Sequence, residues 1–180
     1  GALLGNYTGG SADDTVVIGD GAGDAITTGT DNTFIGDNAG SATTTASNNV
    51  AVGSSALLAN TTGAANTAVG VDSLKDNTTG ANNVAVGENA LANNTTASQN
   101  VAVGQNALLT ATTAADNVGI GHDALRLTTT GGSNIGIGTD ALRANTTGNN
   151  NVAVGYNSLV ANTTGIENTA VGTDSLDSNT

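Results

Sequence analysis

The chain contains no cysteine, proline, methionine or tryptophan, and only one histidine. Without cysteine there is no disulfide framework and no thiolate metal site, and a single histidine cannot build a zinc centre. Three Lys and Arg stand against 15 Asp and Glu, a formal net charge of −12. That balance excludes the basic surface that nucleic-acid phosphates require. Two Tyr and one Phe are the whole aromatic complement, too little for a compact enzyme with a thick aromatic core. The 26 Gly occur without proline, which rules out collagen. No apolar run approaches the roughly 18 residues that cross a bilayer. Leu, Val, Ile and Phe make up one fifth of the 180 residues, at the edge where a chain can stay disordered. Two classes remain: a disordered polar chain, or a repeat protein with a thin core of small side chains.

What is present decides between them. Asn recurs at 49, 66, 83, 100, 117, 134, 151 and 168, each step 17 residues, and Asn32 and Thr15 extend the register backwards. A disordered tract has no reason to hold register, because nothing in it packs against anything else. Strict register implies that each unit stacks on the next. With that Asn as position 1, position 5 is Gly in every unit, from Gly19 to Gly172. Position 4 is always Val or Ile, and position 2 is Val, Ile or Thr. Leu holds position 9 from Leu57 to Leu176, and positions 13 and 14 are both Thr in every complete unit.

Val-Ala-Val-Gly places β-branched residues at alternate positions, the period of a strand, and Gly at 5 suits a turn. A helix over the Ala-Leu stretch would be under two turns long and is rejected. The chain is therefore expected to be all-β, a parallel β-solenoid of about ten 17-residue coils over residues 15–180, with 1–14 as an irregular or atypical first coil. At about 4.8 Å per coil it would form a rod on the order of 50 Å long. Val and Ile at positions 2 and 4 are expected to line the interior with Leu at 9, and Asn at 1 to form an amide ladder. One of the two Thr is expected to face inward, its hydroxyl bonded to the next coil. Position 3 would then point outward. It holds Ala51, Ala68, Ala85, Ala102, Gly119, Gly136, Ala153 and Ala170, and such a small apolar stripe reads as a chain–chain contact face.

The motif N-[VT]-A-V-G-x-x-A-L resembles the head repeats of trimeric autotransporter adhesins, with Val-Ala-Val-Gly at 50–53, 84–87, 101–104 and 152–155 the closest. The resemblance implies a left-handed parallel β-roll, three of which pack side by side into a homotrimer. The unit here is longer than that family's, the extra residues lying around N-T-T-G. N-T-A-V-G…N-T-T-G arrays are also similar to shaft repeats of phage tail fibres and large bacterial surface proteins. An extracellular location, on a cell surface or a virion fibre, follows as the expectation.

Sites for chemistry are sparse. His122 lies at the variable position 6, beside counterparts such as Glu88, Gln105 and Tyr156, and reads as a surface residue. The segment at 19–25, with Asp13, Asp14, Asp20, Asp24, Asp31 and Asp37 around it, faintly resembles glycine–aspartate calcium turns but lacks their period. No catalytic residue, cofactor or metal is expected. Asp or Asn at position 7 suits a turn. Lys75, Arg126 and Arg143 share position 10, and Asp123 and Asp140 lie three places earlier, so salt bridges are expected. Asn60, Asn77, Asn94, Asn145 and Asn162 begin N-T-T sequons, and Asn6 begins N-Y-T, which makes them candidate glycan acceptors. A stacked Thr row also suits an ice-binding solenoid. The lack of an initiator Met and of a signal peptide, and an end within a coil, suggest an excerpt of a longer fibre. The expected function is a non-enzymatic structural or adhesive fibre segment presenting a repeated polar face to a host-surface receptor or glycan; an ice-binding solenoid and a purely structural filament are the alternatives.

Overall fold

A computed structural model describes residues 5–6 and 14–179. Its architecture is an all-β parallel solenoid with a 17-residue period. Eleven short strands form one sheet in chain order: β1 (Gly5–Asn6), β2 (Val16–Ile18), β3 (Thr33–Ile35), β4 (Val50–Val52), β5 (Thr67–Val69), β6 (Val84–Val86), β7 (Val101–Val103), β8 (Val118–Ile120), β9 (Ile135–Ile137), β10 (Val152–Val154) and β11 (Thr169–Val171). From β2 to β11 each strand pairs in parallel with its counterpart one repeat later, so that Ala68 sits opposite Ala85 and Ala85 opposite Ala102. β1 instead pairs antiparallel with β2. The atypical segment expected over 1–14 lies otherwise outside the described residues, Asp14 excepted.

Three-residue strands cannot hold such a stack alone. Axial hydrogen bonds continue around the whole coil: Leu57 N–H donates to Ser73 O at 3.0 Å, Ala59 to Lys75 O at 2.9 Å and Thr61 to Thr78 O at 3.0 Å. The stretch after the glycine at position 5 makes those bonds through left-handed residues at positions 7 and 9. Position 7 reaches φ of 52–58° with Asp, Asn or Ser in most coils, residue types that tolerate this region. Position 9 is less obvious, because Leu57 through Leu176 also sit near φ 50°. The left-handed region costs a Leu about 1–2 kcal/mol. Burying its side chain contributes about 1.5–3 kcal/mol, and the seven Leu from 57 to 159 are fully buried. Burial wins, which is why this turn carries Leu instead of Asn.

The expected parity is inverted. Positions 2 and 4 do point opposite to position 3, but the residue that faces inward is position 3. Ala51, Ala68, Ala85, Ala102 and Ala153 are fully buried, Ala170 nearly so, and Gly119 and Gly136 are buried with them. They pack in the core with Leu at 9 and Ala or Ser at 8. Val and Ile at 2 and 4 face out. The reason is volume: a coil closed by a buried Leu has room opposite it for Ala but not for Val. One coil shows this trade directly. Phe34 replaces Ala at position 3, and there position 9 is Gly40, preceded by Gly23. A Cβ on Gly40 would stand 2.7 Å from the Phe34 ring, so the aromatic ring fills the space that Leu fills elsewhere.

Two asparagine ladders run through the interior. The first, at position 1, matches the sequence expectation. Asn100 Nδ2 donates to Ala114 O at 2.8 Å, while its Oδ1 accepts from the backbone N–H of Asn117 at 3.0 Å and from Asn117 Nδ2 at 3.3 Å. The same pattern repeats at Asn66–Asn83 and Asn134–Asn151. The second lies at position 12, where Asn77 Nδ2 donates to Asn60 Oδ1 at 3.0 Å and Asn94 Nδ2 to Asn77 Oδ1 at 2.8 Å. Buried amides that pair in a line satisfy each other without water.

Candidate interaction face

The inversion relocates every surface that could carry function. The eight small residues from Ala51 to Ala170 offer no face to another chain, because they are buried in the core with the Leu column. The outward face of the sheet is instead two ranks of β-branched side chains, such as Val50 and Val52, Val84 and Val86, Val101 and Val103, and Ile135 and Ile137. Most are half-buried between neighbours in the rank; Val16, Ile120, Ile135, Ile137 and Val171 are 37–69% exposed. The ranks lie about 7 Å apart across a strand and repeat every 4.8 Å or so along the rod. Thr33, Thr67 and Thr169 are the polar members among the described strands. The result is a mainly apolar strip along the rod, larger in extent than scattered surface valines would give.

The sequon asparagines are also placed differently from expectation. Asn60, Asn77, Asn94, Asn145 and Asn162 are fully buried. The Nδ2 atoms of Asn60, Asn77 and Asn94 donate to Gly63 O, Gly80 O and Ala97 O at 2.9–3.0 Å, and Asn145 and Asn162 make the matching bond. A glycan on any of these nitrogens would have to pass through the coil wall, so none is an acceptor in this fold. The Asn6 side chain lies outside the described residues.

The two threonines divide their roles. At position 13 the hydroxyl donates axially, Thr61 Oγ1 to Thr78 O at 3.0 Å and Thr78 Oγ1 to Thr95 O at 2.9 Å, as the sequence led one to expect, although these side chains are half-exposed instead of inward. At position 14 the nine residues from Thr28 to Thr164 are all exposed, forming a row of hydroxyls along one edge.

Among the described residues the charged groups lie at the surface, Asp123 excepted, which is buried. The basic residues pair within their own turns, Lys75 with Asp72 at 3.7 Å, Arg126 with Asp123 at 3.7 Å and Arg143 with Asp140 at 3.5 Å. Each pair is partly exposed and contributes little, roughly 0–1 kcal/mol. His122 is about half exposed, with Nδ1 3.9 Å from Asp123. Among the described residues no three His, Asp or Glu side chains converge as a metal site would need, and no helix is long and apolar enough to cross a membrane. Comparison with protein-family models, with curated proteins and with solved structures gives no match for this chain.

Proposed function

We propose that this chain is a non-enzymatic segment of an extracellular fibre or adhesin, a stiff rod that packs side by side with copies of itself into a homotrimer. The observation that carries the reading is the Val/Ile strip on β2–β11, apolar but for Thr33, Thr67 and Thr169, on a chain of net charge −12. Water contact with such a strip is unfavourable by about 25 cal/mol per Å². A strip roughly 50 Å long and 10 Å wide gives about 500 Å² per chain, near the low end for specific association. An arrangement that uses its full length, with the rods aligned, is therefore favoured. The acidic outer faces keep the bundle soluble. A polar face repeated every coil then suits multivalent contact with a receptor or glycan on a host surface.

Light scattering tests the assembly. Three chains of 17.2 kDa give about 52 kDa, the expected mass. Val101→Lys/Val103→Lys places two charges on the strip and is expected to yield folded monomer, with the β-rich circular dichroism retained. A wild-type mass of 17.2 kDa at the same concentrations would refute the assembly.

A second reading rests on a different observation, the position-14 threonines exposed in nine successive coils. A row of methyls and hydroxyls at fixed spacing could order water at an ice surface. Thermal hysteresis measured at micromolar protein separates this reading: activity abolished by Thr96→Asp and Thr113→Asp would support it, and its absence would leave the fibre, or a structural filament without a ligand.

A further inference from the structure

The inner asparagine ladder at position 12 is interrupted in the middle of the rod. Asn60, Asn77 and Asn94 are three successive rungs. The next two coils carry Ala111 and Thr128 at the same place, both fully buried, before Asn145 and Asn162 resume with a 3.1 Å bond between them. Each complete rung serves two acceptors. Asn94 Nδ2, for example, donates to Asn77 Oδ1 in the preceding coil and to Ala97 O in its own. Both kinds of acceptor are left short at Ala111. Asn94 Oδ1 has no hydrogen-bond partner within the chain. Ala114 O accepts from Asn100 Nδ2 alone, whereas Gly80 O and Ala97 O each accept from two amides. On the far side the Thr128 hydroxyl is likewise without a partner.

Alanine is three heavy atoms shorter than asparagine, and those atoms are the amide itself. The space corresponds to about one water molecule, whose share of liquid volume is roughly 30 Å³. We propose that a single buried water molecule occupies the rung at Ala111. It donates one hydrogen to Asn94 Oδ1 and the other to Ala114 O, the two acceptors that an asparagine amide would serve there. Its oxygen accepts from Thr128 Oγ1 in the following coil. Three partners is the usual complement of an internal water. The site follows from the coil geometry and stands whether or not the rods assemble.

A pair of substitutions together with a crystal structure of the wild-type chain tests it. Density for one water within hydrogen-bond distance of Asn94 Oδ1 and Ala114 O is expected. Ala111→Val expels the water and replaces none of its bonds, so it is expected to lower the melting temperature by about 5 °C. Position 12 holds Thr43 and Thr128 elsewhere, so a side chain of valine's volume fits and overpacking does not account for the loss. Ala111→Asn is expected to melt at or above the wild-type temperature, with its amide in the water's place. Absence of the density overturns the proposal, as does an Ala111→Val chain that melts at or above wild type, the behaviour of a dry apolar hole being filled.

Discussion

Gly104→Ala lowers the melting temperature by roughly 10 °C or more, corresponding to about 3–5 kcal/mol. Gly104 holds φ at +131°, a region that side chains rarely adopt. A Cβ there would stand 2.5 Å from Gly121 O and 2.6 Å from Gly121 C in the next coil. That neighbour is backbone, and it cannot move aside without disturbing the bonds that stack the two coils, such as Gly121 N–H to Val103 O at 2.8 Å. Strain in φ and the steric conflict therefore add. Gly119→Ala is the matched control. Its φ is not positive, its Cβ would meet Ala124 O and the Leu108 side chain at 3.3 Å, and the same position holds Ala in most coils. A change within about 1 kcal/mol is expected there. Thermal melts of the two variants, followed by circular dichroism, give the comparison.

Asn100→Leu costs about 2–5 kcal/mol despite near-equal volume. Two backbone groups depend on that amide. Asn117 N–H loses its acceptor, and Ala114 O loses its donor. Each buried group left unpaired costs about 1–3 kcal/mol, against which the added apolar burial offsets part. Asn94→Leu, in the inner ladder, is milder, because no backbone N–H relies on Asn94 Oδ1. Chemical denaturation of both variants is expected to rank them in that order. Equal losses would mean that the ladder at position 1 carries no more of the stack than the ladder at position 12.

Much of this fold was legible because the repeat itself is a physical statement. A period of 17 without insertion implies stacking, Val-Ala-Val implies a strand, an invariant Gly implies a backbone approach too close for Cβ, and a column of Asn implies an amide ladder. What local alternation cannot say is which side of the strand is inside. Valine is the more apolar residue, and assigning it to the core is the natural first choice. The signal pointing the other way was a trade between positions: Phe34 appears where Gly40 and Gly23 stand in place of Leu, which makes sense only if positions 3 and 9 share one space. The sequons misled for a related reason. An N-T-T pattern carries no information about side-chain direction, and position 12 happens to turn inward. Leu at a left-handed φ was not legible either, since intrinsic preference argues against it and only tertiary burial pays for it.

The direction of the strand faces is tested most directly by moving one charge by one residue. Val103→Lys puts an ammonium on the outward strip, where water reaches it, and Ala102→Lys puts it in the core among the buried Leu side chains, with no partner. Thermal melts of the two proteins are expected to show Val103→Lys folded with a melting temperature within a few degrees of the wild-type value once chain association is accounted for by mass, and Ala102→Lys strongly destabilised or unfolded. A folded Ala102→Lys chain beside an unfolded Val103→Lys chain would contradict an inward alanine column and place valine in the core.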